Sequence, residues 1–579
     1  MSGLYGVFNK TEPLEIEPQY KYFFSSELPN ILNEEFRYKN FTFGRSVPRK
    51  LLNDRIIYED NKLIIAFEGI IFNKSCDNNA NYLESQYRKQ GIKFIETIDG
   101  LFSGFIYDKD IDVIYAFVDH LNTRPIYYFC NSNCFIISSE VKHISAYLRK
   151  SGRKLGPDYD GIYSMLGFGF VIDDLTFVKE IKSIPYGSIL EFKAKEFKYS
   201  INKFFSLEKK QKNKITTQEI VNQIDSLMVN NVQKHWNKDI EYNYNHYSSL
   251  SGGLDAKTQL LLAVELGFNN ITTLTFAESS SSDANISIDV AKKNKLEHIS
   301  LTLDNGLYLN KNIDQYVKAT DGLMPFFSFS HSYNSMKKIN HNNFGVLHSG
   351  QIGDLVFGSF IRKKENIEND IYGLAYHGSS LQRICEKISF FSKFIQRYNE
   401  KSFEVCAYEQ RVINAAIFGD RALYHFTDTS SVFYDRKLIE FSLTIPDQIK
   451  LGERLYIEWL KNKHTNILDY KWQKCGTRPT SMTKIKIGKL LQGINNRGRR
   501  TIGLSYDNMN PFDLWFRQNP AILKQLNELY INNIHIIHNK ELKNDLEEVY
   551  NCTVDRFMRN KFTVVTLLLA LKMHLGEIQ

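Results

Sequence analysis

The chain has few cysteines for its length, and their arrangement argues against two common uses of the residue. Its 579 residues include seven cysteines, an odd and scattered set. Only Cys130 and Cys134 lie close together, and no Cys/His cluster has the spacing of a metal site. We therefore expect reduced thiols and a cytoplasmic protein, because disulfide frameworks belong to oxidising compartments.

Long apolar runs are also missing. The N-terminus has no basic segment followed by an apolar run, so we expect no signal peptide. The most apolar late stretch, 562–575, is interrupted by Lys572 and His574 and is too short to span a bilayer. We expect this stretch to form a buried C-terminal helix, and we expect no association with a membrane.

Charge of one sign is not in large excess. The net charge is +8, from 73 basic and 65 acidic residues, which does not by itself indicate a nucleic-acid partner, and we expect none. Part of the excess is a late cluster of basic residues that favours a solvated face or loop over an anion site. Its members are Lys484, Lys486, Lys489, Arg497, Arg499 and Arg500. The length and the 43% hydrophobic content predict two to four domains with ample core.

The segment most specific for chemistry lies near the middle of the chain, before a helical pattern. It comprises Ser249, Leu250, Ser251, Gly252, Gly253, Leu254 and Asp255. Two glycines at the opening of a helix let the backbone approach an anion, which the free amides and the helix dipole attract. No P-loop ending in Gly-Lys-Ser/Thr is present. The pattern instead resembles the pyrophosphate loop of N-type ATP pyrophosphatases, which cleave ATP to AMP and pyrophosphate. The alternative is a polar turn that caps an ordinary helix.

Residues 1–200 are predicted to form an α+β domain built on antiparallel sheets. Short runs rich in β-branched and aromatic residues alternate with turn-forming residues. The predicted strands are 63–67, 102–107, 113–118, 126–129 and 134–138, and the predicted helices are 81–90 and about 139–149.

Four segments of this first domain carry a more specific pattern, in the order 1–6, 67–73, 98–102 and 119–128. Together they resemble the N-terminal glutaminase domain of the class II glutamine amidotransferases. In the asparagine synthetase B family that domain, an N-terminal-nucleophile hydrolase sandwich, is joined to a synthetase domain.

The first domain departs from this family at two functional positions. The family's nucleophile is an N-terminal cysteine, and Ser2 stands there in this chain. The family's oxyanion loop begins with asparagine, whereas here it begins with Glu68, whose carboxylate would repel an oxyanion. The resemblance with these changes implies a glutaminase fold without glutaminase activity. A serine-dependent amidase is the alternative, since a hydroxyl needs a dedicated base.

Residues 215–579 are predicted to form an α/β ATP-pyrophosphatase domain. A strand at 271–276, a helix at 282–293 and a strand at 297–301 indicate a doubly wound parallel sheet. Ligands of such sheets bind beyond the carboxyl ends of the strands. In the resembling family the backbone around the second strand contacts adenosine, which implies Thr275 and Phe276 here.

A second motif follows a predicted strand at 345–348. Ser349, Gly350, Gln351 and Asp354 resemble the family's Ser-Gly-Glu-Gly-x-Asp pattern. Asp354 falls on the family's magnesium-binding aspartate, which implies that Asp255 and Asp354 share Mg²⁺ beside ATP, a donor set that suits this ion.

Gln351 stands where asparagine synthetases have glutamate, β-lactam-forming relatives tyrosine and lasso-peptide cyclases often histidine. That position faces the acceptor chemistry, and glutamine cannot act as a general base. Leu355 and Ala256 also replace family residues. A degraded enzyme and an enzyme with a different acceptor both predict such changes, and we favour the live enzyme.

Two later positions complete the expected site. The resemblance places Asp428 at a family glutamate, and it places Lys474 at a lysine that contacts pyrophosphate and the forming adduct. A cation there would stabilise the negative charge as pyrophosphate and then AMP leave. Residues 477–501, with several glycines and seven basic residues, are interpreted as a mobile loop over the site.

The resemblance implies an ATP-dependent, AMP-forming amide ligase or cyclase that does not hydrolyse glutamine. Its members without the N-terminal cysteine include the β-lactam synthetases and lasso-peptide cyclases of natural product biosynthesis. The substrates would be a small-molecule or peptide carboxylate and an amine, and a homodimer or a pathway partner is possible. The alternatives are an asparagine synthetase using ammonia or glutamine, and a nucleotide-binding pseudoenzyme that acts as a scaffold.

Overall fold

The computed structural model describes residues 3–11, 17–73, 78–210, 215–376, 382–501, 507–552 and 558–576. Ser2, for which a role was predicted, lies outside this described part of the chain. No helix within it is both long enough and apolar enough to cross a membrane.

Two antiparallel sheets form the first part of the chain. Their strands are β1 (Gly3–Asn9), β2 (Ile31–Tyr38), β3 (Phe41–Pro48), β4 (Arg55–Glu59), β5 (Leu63–Ile71), β6 (Gly100–Asp108), β7 (Val113–Val118), β8 (Tyr127–Cys130), β9 (Cys134–Ser138), β10 (Lys182–Ser183), β11 (Ser188–Lys193) and β12 (Lys198–Lys203). One sheet has the order β10-β8-β9-β1-β3-β2, and the other has the order β12-β11-β7-β6-β5-β4. The sheets pack face to face through aromatic residues, including Phe41 and Phe43 of one and Phe105 and Tyr107 of the other.

A five-stranded sheet forms the second part. Its strands are β13 (Asn245–Ser249), β14 (Ile271–Ala277), β15 (Glu297–Thr302), β16 (Phe344–Ser349) and β17 (Thr429–Ser431). They run in the order β15-β14-β13-β16-β17, and each neighbouring pair is parallel. An antiparallel sandwich followed by a parallel sheet confirms the predicted fold class. The proposed domain limits at residues 200 and 215 stay predictions.

The helices surround these sheets. They are α1 (Asn79–Gln90), α2 (Val141–Lys150), α3 (Tyr159–Phe168), α4 (Thr217–Glu241), α5 (Leu254–Glu265), α6 (Ser282–Lys293), α7 (Ile313–Ala319), α8 (Ser330–Met336), α9 (Gly353–Val356), α10 (Ile367–Asp370), α11 (Gln382–Cys385), α12 (Phe391–Lys401), α13 (Phe403–Cys406), α14 (Ile417–Arg421), α15 (Arg436–Ser442), α16 (Asp447–Lys450), α17 (Arg454–Lys463), α18 (Met482–Thr501), α19 (Phe512–Gln518), α20 (Pro520–Ile534), α21 (Lys540–Asn551) and α22 (Arg559–Leu575). A π-helical segment covers Ala407–Ala416. The buried C-terminal helix predicted from its apolar run corresponds to α22.

The predicted loop at 477–501 is wrong for most of its length, because 482–501 forms α18. The Ser481 hydroxyl accepts the backbone N–H of Lys484 at 3.3 Å, in the manner of an N-terminal cap. Gly488 packs so closely that a Cβ there would lie 2.4 Å from the Cys475 carbonyl oxygen. The glycine that suggested a loop is therefore required by close packing of a helix.

A buried polar group fixes α4 to the sheet. The Asp239 carboxylate of α4 accepts hydrogen bonds from His246 of β13 and His348 of β16, each at 2.8 Å. The ring of His348 stacks on Trp236 of α4 with centroids 4.3 Å apart. Neighbouring imidazoles hold the pKa of Asp239 below its ordinary value despite burial.

A second buried group, of four charged side chains, joins the sandwich to the parallel sheet. Arg55 donates to the Asp428 carboxylate at 2.9 Å, and Arg124 donates to Glu68 at 3.0 Å. Arg124 also pairs with Asp428, and Arg55 lies 3.8 Å from Glu68. No side chain of the four is more than 5% exposed. Two cations and two anions thus compensate each other at the junction.

Removal of one cation from this group should destabilise the protein strongly. We expect Arg124→Met to lower the free energy of unfolding by about 3–5 kcal/mol, because it leaves buried carboxylates undercompensated. The measurement is urea denaturation followed by circular dichroism. Arg88→Met is the matched control, since Arg88 is 41% exposed in its pair with Glu84, and it should cost less than about 1 kcal/mol. Equal stability of the two variants would contradict the structural role of the buried group.

Candidate active site

The two motif loops meet at one edge of the parallel sheet. β13 ends at Ser249 and leads through residues 250–253 into α5, while its neighbour β16 ends at Ser349 and leads through 350–352 into α9. Since the strands are parallel and adjacent, both loops leave the same carboxyl edge side by side. This is the position at which open α/β sheets bind ligands.

The first loop presents backbone amides at the start of a helix. Its shape is fixed from below, because Leu250 donates its N–H to the Leu274 carbonyl and accepts the Thr275 hydroxyl, both at 2.7 Å. Gly253 is the N-cap of α5 and carries no capping side chain, so amides of the first turn have no partner within the helix. The arrangement suits an anion such as a pyrophosphate group.

The residues predicted to contact adenosine have different surroundings. Thr275 is buried, and its hydroxyl is used to hold the first loop at Leu250. Phe276 is half-buried, and its ring lies 5.5 Å from that of His331. Both stand at the carboxyl end of β14, next to β13, and their contact with adenosine stays a prediction.

The amide of Gly252 already has a partner that the sequence did not reveal. Asp283, in the first turn of α6, accepts this N–H at 3.0 Å. Burial raises the pKa of Asp283 to about 6, against the opposing effect of this hydrogen bond. A carboxylate therefore lies beside the amides that would hold a phosphate, and an incoming anion must displace it or share the loop with it.

The second loop packs tightly against the first turn of α5. A Cβ at Gly350 would lie 2.4 Å from the backbone nitrogen of Ala256, and one at Gly353 would lie 2.7 Å from the carboxyl carbon of Asp255. The backbone N–H of Asp354 donates to the Asp255 carboxylate at 3.0 Å. The two predicted metal ligands are thus brought together by direct contact of their loops.

Electrostatics at this point favour a cation. Burial, followed by the charge of Asp354, raises the pKa of Asp255 well above its ordinary value, and Glu453 adds a third negative charge. Glu453 is buried and holds a left-handed backbone conformation with φ of 64° at the start of α17. Carboxylate oxygens are the ligands that Mg²⁺ prefers, and a divalent cation would offset the charge concentrated here. The donor set therefore fits the magnesium ion expected from the sequence.

The segment with the predicted Lys474 lies directly against the first loop. The backbone N–H of Gln473 donates to the Gly252 carbonyl at 3.0 Å. The ammonium of Lys474 lies 2.8 Å from the Glu453 carboxylate, and its side chain is 44% exposed. Lys474 thus follows directly on a residue bonded to the first loop, and its contact with pyrophosphate stays a prediction.

Lys257 holds the segment that carries Lys474 against α5, a role that the sequence did not predict. It is fully buried in α5, donates to the carbonyl of Lys471, and burial lowers its pKa to about 8.

Gln351 and Ser349 line the second loop, next to β17. The Ser431 hydroxyl donates to the backbone carbonyl of Gln351 at 2.9 Å, which ties this loop to the end of β17. The Ser349 hydroxyl is buried and makes no hydrogen bond within the described residues. The Gln351 side chain is partly exposed at the place expected for the acceptor chemistry.

The catalytic role predicted for Asp428 is wrong on geometric grounds. This residue precedes β17, whereas the carboxyl edge lies beyond Ser431, about 10 Å further along the strand. Its carboxylate is fully buried and engaged by Arg55 and Arg124. A group paired in this way cannot reach a substrate at the other end of the strand.

The loop that replaces the family's oxyanion loop is also explained by this group. The Glu68 carboxylate, predicted to repel an oxyanion, is compensated by Arg124 at 3.0 Å and by Arg55 at 3.8 Å. Glu68 thus holds two arginines that also contact Asp428 beside the parallel sheet.

Two family models match the chain in succession. A glutamine amidotransferase domain matches residues 55–205, and an asparagine synthase domain matches residues 223–416. The two matches, in this order, support an asparagine synthetase B-like family. The loops at 249–255 and 349–354, with both predicted metal ligands, fall within the second match.

Relatives agree with this assignment. One is a putative asparagine synthetase [glutamine-hydrolyzing] 2 of Methanocaldococcus jannaschii, 26% identical over 222 residues, 35% of this chain and 42% of that protein. Another is asparagine synthetase [glutamine-hydrolyzing] 1 of Bacillus subtilis, 21% identical over 271 residues, 44% of this chain and 41% of that protein. The aligned region thus spans about two fifths of each relative.

Among solved structures, an allosteric regulatory enzyme of purine biosynthesis has 9% identity and a TM-score of 0.25, over 52% of this chain and 80% of that chain. A U34-tRNA thiolase of Methanococcus maripaludis has 16% identity and a TM-score of 0.22, over 50% of this chain and 82% of that chain. The fold assignment rests on the strand order and strand directions of the chain itself.

The raised pKa of Asp255 should make the stability of the protein depend on pH. Because the folded protein raises its pKa, ionisation of this carboxyl costs stability as the pH rises above the unfolded value near 4. We expect metal-free Asp255→Asn to melt about 2 °C above the wild type at pH 8, with the difference shrinking toward pH 4.

The same variant should lose the rise in melting temperature that ATP with Mg²⁺ gives the wild type. Differential scanning fluorimetry measures both effects. Asp289→Asn, at an exposed pair with Lys293, is the control and should change neither. A variant that keeps the full response to ATP and Mg²⁺ would show that Asp255 holds no metal.

Proposed function

We propose that this protein is an ATP-dependent, AMP-forming amide ligase or cyclase that works without glutamine hydrolysis. The observation that carries the proposal is the contact between two loops at one sheet edge. It sets the amides of Gly252 and Gly253 beside the carboxylates of Asp255 and Asp354. Such a site combines an anion cradle with a cation site, which is what ATP with magnesium requires.

In the proposed first step, a substrate carboxylate oxygen attacks the α-phosphorus of ATP. A carbon–oxygen–phosphorus linkage forms, the bond to the β-phosphate oxygen breaks, and pyrophosphate leaves into the amides of the first loop. Magnesium, held by Asp255 and Asp354, would neutralise phosphate charge. Lys474 would move its ammonium from Glu453 toward the charge that develops on the leaving oxygen.

In the second step, an amine attacks the activated acyl carbon and AMP leaves as the amide forms. The amine must lose a proton, and Gln351 cannot take it because its amide is not a base. The proton would leave to water or to the departing phosphate. The partly exposed Gln351 would instead orient the acceptor by hydrogen bonds.

The nitrogen donor is proposed to be an amine rather than glutamine. The family's thiol nucleophile is replaced by Ser2, and Glu68 is committed to Arg55 and Arg124 at the junction of the domains. The substrates would be small-molecule or peptide carboxylates and amines, and a homodimer or a pathway partner would be compatible with this role.

The second candidate is an asparagine synthetase that uses ammonia or glutamine, which the relatives' names favour. The third is a nucleotide-binding scaffold without turnover, compatible with the changes at Ala256 and Gln351. Aspartate-dependent formation of asparagine would establish the second. Nucleotide binding without any turnover would establish the third.

ATP–pyrophosphate exchange across a panel of amino acids, small organic acids and peptides tests the proposal. We expect exchange with at least one carboxylate, and Lys474→Met should reduce its rate about 100-fold through loss of charge stabilisation. The neighbouring Lys471→Met, at an exposed side chain, should keep the rate within about twofold because it removes a charge outside the cradle.

A parallel assay follows ammonia release from glutamine. The proposal predicts none above background. Release that Ser2→Ala abolishes would overturn the glutamine-independent mechanism and favour the amidase alternative.

A further inference from the structure

The outward face of α18 carries an apolar stripe with no partner in the described part of the chain. The stripe consists of Ile487, Leu490, Leu491 and Ile494, which are 53%, 65%, 57% and 58% exposed. Their spacing of three and four residues puts them on one side of the helix. The opposite side is already packed, because Ile485 is 2% exposed and Gly488 lies against Cys475.

This concentration is unusual for the molecule. The described residues contain twelve exposed large apolar side chains, and four of them form this stripe, whereas the others are dispersed. Single exposed apolar residues need no explanation, but a contiguous row of them marks an interaction surface. The stripe therefore requires a partner.

The charge on α18 restricts the chemistry of that partner. Residues 482–501 contain six basic residues and no acidic residue. Lys484 and Lys486, on either side of the buried Ile485, are both exposed. A surface that is apolar along its centre and positive along its length complements an acidic, amphipathic partner.

The position of α18 connects this surface to the candidate active site. Gln492 donates its side-chain N–H to the carbonyl of Gln473 at 2.9 Å, and Gln473 is itself bonded to Gly252 of the first loop. Lys489 lies 3.9 Å from Glu453. A partner seated on the stripe would thus be one helix away from the loop.

We propose that the outward face of α18 docks an acidic, amphipathic helical segment of a polypeptide that presents its carboxylate or amine to the active site. The link to a substrate rests on the proposed function, whereas the docking does not. A helix laid in this way would bury its own apolar residues on the stripe and set its acidic residues against the lysines.

Two other occupants fit less well. A second copy of the chain would bring one positive α18 against another, and the like charges would repel. A membrane surface attracts basic amphipathic helices, but residues 482–501 contain no tryptophan, tyrosine or phenylalanine to anchor in the interface.

The test measures binding of a labelled synthetic peptide by fluorescence anisotropy, using the full chain without ATP. The peptide carries leucines at helical spacing and glutamates on the flanking positions. A scrambled peptide of the same composition and a lysine version of the helix are the reference probes. We expect the acidic helix to bind, and both references to bind at least about tenfold more weakly, since each lacks either the stripe or the charge.

Variants of the stripe locate the binding. The double variant Leu490→Ser, Leu491→Ser should lower the affinity for the peptide at least about tenfold. The double variant Lys484→Glu, Lys486→Glu should lower this affinity by the same factor and make it less dependent on salt concentration. Ile531→Ser is the matched control, because this residue of α20 is 66% exposed, and binding should be unchanged. Unchanged binding in the stripe variants would overturn the proposal.

Two further readouts address the other occupants. The protein could also float with vesicles of phosphatidylserine and phosphatidylcholine. If flotation is lost in the stripe variants and no peptide binds, the occupant of the stripe is a membrane surface and not the peptide. If sedimentation shows dimers of the wild type and monomers of the stripe variants, the occupant of the stripe is a second copy of the chain and not the peptide. Because peptide binding is measured without ATP, its failure is distinct from failure of ATP–pyrophosphate exchange, which the stripe variants should retain with a small carboxylate substrate.

Discussion

The candidate site depends on how closely one loop packs on another. Gly350 and Gly353 lie so near the first turn of α5 that neither position has room for a Cβ. This contact places the Asp354 amide on the Asp255 carboxylate and concentrates negative charge in a buried position. The charge weakens the fold in the absence of a cation and makes binding of a cation favourable. Close packing and concentrated negative charge are thus consequences of one geometric constraint.

The two ends of the parallel sheet have separate duties. The carboxyl edge carries the loops, the acidic residues and Lys474, whereas Asp428 before β17 anchors the sheet to the sandwich through Arg55 and Arg124. Glu68 completes that anchor from the first domain. The part of the chain that matches a glutamine amidotransferase domain thus directs charged residues at its neighbour.

The sequence predicted what local motifs determine. The loop glycines and Asp255 and Asp354 are set by residues within a few positions of a strand end, so their proximity followed from the parallel sheet. The catalytic role predicted for Asp428 was wrong because a short motif does not show at which end of a three-residue strand a side chain lies. Glu453 was missed because it comes from a distant segment, where no motif marks it, and lies near Asp255 through a left-handed turn of the backbone. The helix α18 was missed because a glycine such as Gly488, which close packing requires, looks in the sequence like a loop residue.

The central claim is that Asp255 and Asp354 hold the metal beside phosphate bound at the first loop. Anomalous X-ray scattering from crystals soaked with Mn²⁺ and α,β-methylene-ATP tests it directly, since Mn²⁺ accepts the oxygen ligands of Mg²⁺. The account predicts a manganese peak between these carboxylates and the phosphates, next to Gly252 and Gly253. A peak at the other close set of potential ligands, Asp239, His246 and His348, with none at Asp255, would contradict it.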